Sequence, residues 1–67
     1  MRFLRYDVTG DDLAYGNVIY INPMYVSTIM EMDSGRAMLV MTEGTTHWVQ
    51  QTAERVRSDV ESAYTNQ

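Results

Sequence analysis

The sequence predicts a small α+β domain, an antiparallel meander of about four strands followed by one C-terminal helix. Three observations predict it. Short runs rich in β-branched and aromatic residues recur along the chain, "NVIYIN" and "AMLVMT" being the densest. Breaks rich in Gly and Asp, "TGDDLAYG", "DSGR" and "EGT", separate those runs. After Gln51 the apolar spacing changes from alternation to threes and fours, the period of a helix with one buried face. No internal repeat, linker or low-complexity segment divides residues 1–67, so they form one domain.

"MRFLRYDV" reads as the first strand, with Leu4, Tyr6 and Val8 on one face and Phe3 and Arg5 on the other. "TGDDLAYG" is a turn or excursion. "NVIYIN" is the second strand, and Pro23 interrupts it because proline has no N–H to give to a ladder. "MYVSTIMEM" then resumes as a bent continuation or a separate strand. "DSGR" has the composition of a hairpin turn. "AMLVMT" returns from it, apolar on both faces and expected to be covered on both, one of them by a second subunit. "EGT" turns again into "THWVQ". Thr52 is the expected N-cap of the helix, with Glu54 at the positive end of its dipole. Ala53, Val56, Val60 and Ala63 or Tyr64 form the apolar stripe.

A chain of 67 residues buries only about 60% of the surface its unfolded form exposes, and small scaffolds add a disulfide, a metal or a partner. Cysteine is absent and histidine occurs once, which leaves self-association as the staple and gives no basis for a metal or cofactor. A hydrophobic content of 45% with six Met, five Tyr and one Trp supports a homodimer or higher oligomer. The net charge of −4 argues against DNA or RNA as partner, because phosphate neutralisation dominates such binding. The N-terminus has no long apolar run, so neither a signal peptide nor a membrane span is expected and the chain reads as cytoplasmic. All five basic residues are arginine. Arginine offers a planar fork to phosphate or carboxylate, and a GC-rich genome produces the same bias.

From Ile19 to about Val60, "YINPMYVSTI" and "LVMTEGTTHWVQQTAERV" carry a pattern. A strand meets an Asn-led turn, then a strand, a Gly turn, a strand and a helix opened by Thr follow. This resembles the short proteins typified by the flagellar-motility FlbD type and their small phage relatives. The likeness rests on hydrophobic spacing with Asn22 and Gly44, and "MRFLRYDVTGDDLAYG" lies outside it. It implies the phage branch rather than a flagellar role, and binding rather than catalysis.

His47 and Trp48 are strand neighbours, so their side chains point to opposite faces. Alternation puts His47 with Val49 on the core side and Trp48 with Thr46 and Gln50 on the other. His47 is expected to be a hydrogen-bonded structural residue. Asp7, Asp11 and Asp12 crowd the first turn, where carboxylates more often cap and solvate than catalyse or bind Mg²⁺. No Ser lies near the histidine with an orienting acid, which argues against an enzyme. The candidate ligand-binding residues are Arg36, Trp48, Tyr25, Thr45, Thr46 and His47. Aromatic rings stack on a base, Arg meets a phosphate, and the Thr hydroxyls with the Gly44 turn add donors. The same residue types dominate protein–protein contacts. Two expectations follow: a homo-oligomeric sponge for a cyclic-nucleotide-like immune signal, and an adaptor or inhibitor docking on a host protein.

Overall fold

The computed structural model describes residues 2–9 and 16–65. Asp11, Asp12 and Tyr15 fall outside them. Five short antiparallel strands precede one helix: β1 (Leu4–Asp7), β2 (Val18–Ile21), β3 (Val26–Glu31), β4 (Arg36–Met41), β5 (Thr46–Thr52) and α1 (Ala53–Thr65). The α+β class predicted from sequence holds. After Pro23 the chain forms a separate strand rather than a bent continuation, which brings the strand count to five.

The break has a local cause. Asn22 caps a single 3-10 turn over Pro23–Tyr25, its Oδ1 accepting from the Met24 N–H at 3.0 Å. Proline opens the turn where its missing N–H costs nothing. The two hairpin turns after it need backbone that L-residues avoid. Gly35 (φ +86°) and Gly44 (φ +99°) supply it.

β1 and β2 pair as a two-stranded sheet, with Leu4 opposite Ile21 and Tyr6 opposite Ile19. β3, β4 and β5 form a three-stranded meander. One isolated bridge, Val8 to Val49, joins the two sheets. The Thr9 N–H donates to the Trp48 carbonyl at 2.9 Å beside it. Side-chain amides extend the junction where backbone pairing stops. The Asp7 N–H donates to Gln51 Oε1 (3.2 Å), Gln51 Nε2 donates to the Asp7 carboxylate (3.0 Å), and Gln50 Nε2 donates to the Val8 carbonyl (3.3 Å). The strands therefore run β2-β1-β5-β4-β3 in space, with β2 and β3 consecutive in the chain.

The helix closes the inner face. The Arg55 N–H donates to Thr52 Oγ1 (3.1 Å), so Thr52 is the N-cap the sequence predicts. Ala53, Val56 and Val60 are buried against Leu4, Tyr6, Ile21, Ala37, Leu39, Met41 and Val49. Tyr64 is exposed, so the stripe ends through Ala63. Tyr6 is fully buried, and its hydroxyl donates to the Asp59 carboxylate at 2.8 Å. Burial, then that hydrogen bond, push the Tyr6 phenol above its ordinary range. The exposed helix face is laced by Arg55–Asp59, Arg57–Glu61 and Arg57–Glu54 pairs. Such exposed pairs are screened by solvent and contribute little. The Glu54 hydrogen bond and charge, with Glu61 behind them, raise the Arg57 pKa. No helix among the described residues is long and apolar enough to cross a membrane.

Candidate functional site

Along β4 every second side chain, Ala37, Leu39 and Met41, is buried under the helix, while Met38 and Val40 between them stay half-buried. β4 is thus covered on one face only by its own chain. Register defines the other face. Met30 and Trp48 flank Met38 on either side, and Thr28 and Thr46 flank Val40. The row Met30–Met38–Trp48 crosses the three-stranded sheet at one strand spacing per step, about 4.8 Å. Trp48 is half-buried and Met30 is exposed.

His47 pairs with Leu39 and lies on the core side, partly buried, as alternation requires. The expected hydrogen bond is not made: the His47 imidazole has no partner among the described residues. His47 and Trp48 therefore act on opposite faces.

The pairing of β4 with β5 is irregular between Arg36 and Met38. Met38 opposes Trp48, but Arg36 opposes Thr52, so β5 carries extra residues where it leaves β4 and meets β1 at Val49. A recess of about 150 Å³ opens there. Ala37 and Val49 belong to its lining together with Trp48, Arg36, Thr9, Met32 and Ser34. That volume takes one ring or one side chain, well below the roughly 300 Å³ at which small-molecule pockets begin. The Arg36 guanidinium has no carboxylate partner among the described residues, whereas Arg55 and Arg57 are both engaged on the helix.

Comparison with family models, with curated proteins and with solved structures gives no match to this chain. The site has to be argued from its own geometry.

That geometry divides the six sequence-predicted residues. Arg36 and Trp48 share the recess. Tyr25, Thr45 and Thr46 sit at the other end of β4, where the Thr42 N–H donates to the Tyr25 carbonyl (2.8 Å) and the Met41 N–H to the Thr45 carbonyl (2.8 Å). Arg36 and Met41 are separated by five residues of strand, about 17 Å at the strand rise. Within one chain the two groups do not meet. Met32 and Ser34 are recess residues the sequence reading missed. Met32 precedes the "DSGR" turn that carries Arg36 and Ser34 lies within it, and that proximity was the available signal. Asp7 is held by Gln51 and serves the junction between the sheets. A second recess of about 170 Å³ lies between β3 and the start of α1, lined by Ile29, Glu31, Ala53, Glu54 and Arg57. Its one cation, Arg57, is already paired with Glu54. No group of three or more His, Cys, Asp or Glu among the described residues is arranged to hold a metal ion.

Proposed function

We propose that this chain is a non-catalytic binding protein that takes a nucleotide through the Arg36–Trp48 recess. The observation that carries the reading is the coincidence, in one ring-sized recess, of an indole and a guanidinium with no carboxylate partner among the described residues. A base enters against Trp48 and a phosphate meets the Arg36 fork, a charge-assisted contact about twice as strong as a neutral hydrogen bond. The volume accommodates a single base, so a cyclic dinucleotide needs two such recesses, one from each of two copies. This supports the homo-oligomeric sponge. The likeness to short phage proteins points the ligand towards an immune signal. Native mass spectrometry on protein from bacteria that make cyclic nucleotides, followed by denaturation, tests the reading. It predicts nucleotide mass on the oligomer of the wild type and its loss in Arg36→Gln.

A second reading has its own support. The face around Met30, Met38, Val40 and Trp48 is apolar and carries no acid. A host protein that docks there inserts one apolar side chain into the recess. Pull-down from host lysate with wild type and Met38→Glu separates this from the first reading, since a docked protein is lost with Met38 changed while Arg36→Gln leaves it.

A further inference from the structure

Three of the six methionines in the chain come together on the outer face of β3-β4-β5. Met30 and Met38 are directly paired across β3 and β4. Met32 follows Met30 by two positions and so returns to the same face. Its N–H donates to the Arg36 carbonyl at 2.9 Å, one row beyond the Met30–Met38 pair. Directly opposite Cβ atoms stand about 5 Å apart and diagonal ones about 7–8 Å, within the reach of long side chains. Trp48 opposes Met38 on its other side and lines one recess with Met32. Three thioethers and an indole therefore gather around Met38. Met32 and Met38 are half-buried and Met30 is exposed, so the cluster is open to solvent.

We propose that this cluster binds a soft monovalent metal ion, of the Cu(I) and Ag(I) class, through the Sδ atoms of Met30, Met32 and Met38. The donor set decides the class of ion. Thioethers are soft and polarisable and suit Cu(I), whereas zinc takes thiolate and imidazole, and magnesium and calcium take oxygen. No thiolate, imidazole or carboxylate stands in the paired rows around Met38. Cysteine is absent, His47 is on the core side, and the neighbouring row is Thr28, Val40 and Thr46. Three neutral thioethers leave the ion its positive charge, and the indole of Trp48 beside them offers a ring quadrupole to that charge. The chain uses its other described methionines differently. Met41 is buried in the core and Met24 lies in the 3-10 turn.

Charge at the margin does not bar such an ion. Arg36 stands one row beyond Met38, and Asp33 precedes it by three positions in the same turn. Both are exposed, where water and salt screen a charge over about 10 Å. The net charge of −4 favours the approach of a cation. Packing does not account for all three thioethers, because Met30 is 45% exposed and outside the core. The backbone pairing of β3 with β4 already sets Met30 beside Met38, so binding orders side chains and not strands. Arg36 supplies no ligand, so the metal site does not depend on the nucleotide reading, although Met32 and Trp48 border both.

Titration with silver nitrate in chloride-free buffer, without nucleotide, tests the site. Isotope-labelled methionine methyls followed by NMR report each thioether separately. One Ag(I) per chain is expected in native mass spectrometry. The methyl signals of Met30, Met32 and Met38 should move, those of Met24 and Met41 should stay, and Trp48 fluorescence should be quenched. Cu(I) held reduced by ascorbate is expected to move the same three methyls, and Zn(II) to move none. Met30→Leu, Met32→Leu and Met38→Leu keep volume and apolar character, and circular dichroism checks that each variant keeps the fold. Each is expected to weaken Ag(I) about tenfold, the scale on which even groups behind a metal ligand act, and the triple change to abolish binding. Arg36→Gln, which removes the phosphate contact of the nucleotide reading, is expected to leave Ag(I) binding intact. A wild type whose three methyls stay silent with either ion overturns the proposal. So does Ag(I) binding that survives the triple change, or Zn(II) moving the same methyls.

Discussion

Val8 and Val49 face each other across a single antiparallel bridge, and both side chains are fully buried. The bridge is the seam of the molecule. On one side stands the β1-β2 hairpin, on the other the β3-β4-β5 meander. Little backbone pairing crosses it, so Gln50 and Gln51 carry the hydrogen bonding with their side-chain amides. β5 is free to reach β1 because it slips register against β4 between Arg36 and Met38. The recess at Arg36 and Trp48 is a by-product of that slip.

Gln51→Leu removes both hydrogen bonds to Asp7 and leaves a part-buried carboxylate and N–H without them. A loss of about 2–3 kcal/mol is expected, since an unsatisfied polar group costs its desolvation. Hydrogen exchange reads where the loss falls. Amides of β1 and β2 should exchange faster while those of β4 keep their protection. Uniform acceleration would show that the two sheets open as one unit.

Tyr6 ties sheet to helix through Asp59, 53 positions along the chain. Tyr6→Phe keeps the ring and deletes the bond, costing about 1.5 kcal/mol, reduced from the full charged-acceptor value by the partial exposure of Asp59. For a domain of this size the melting temperature should fall by about 6–12 °C. A change of under 2 °C would show that the hydroxyl contributes nothing net.

The same tyrosine sets the alkaline limit. Its folded pKa is raised, so the neutral phenol is favoured in the folded state. The stability it contributes is complete below the unfolded value of about 10, and is lost as pH rises above it through the folded value. Urea unfolding from pH 8 to 11.5 should show wild-type stability falling above pH 10, with a shallower fall in Tyr6→Phe. Parallel curves would assign the alkaline loss to other groups.

Thr52→Ala removes the acceptor of the Arg55 N–H at the start of α1. About 1 kcal/mol should be lost, and Thr52→Ser should recover most of it. Denaturant midpoints at pH 7 measure both, and equal midpoints for Ala and Ser would remove the cap from the account.

Much of this architecture is written locally. Asn22-Pro23, Gly35, Gly44 and Thr52 each stand where the backbone turns or a helix begins, and each acts within three residues of itself. The opposite faces of His47 and Trp48 follow from alternation alone. Even Met30 opposite Met38 is implied by equal distance, four residues each, from Ser34 in the "DSGR" turn. What could not be read is non-local. Val8 meets Val49 through one bridge and glutamine amides, which leave no periodic trace. Arg36 reaches Trp48 only because of an irregular register, and Tyr25 is carried away from both by the length of β4. Residue types named the candidates; strand length and register decided which of them meet.

The Arg36–Trp48 recess is proposed to take a nucleotide. Titration calorimetry of the wild type against a panel of cyclic di- and trinucleotides tests it most directly, with Arg36→Gln run beside it. Saturable heat is expected with at least one of them, and at least tenfold weaker binding by Arg36→Gln. No heat with any member, or heat that Arg36→Gln leaves unchanged, would contradict it.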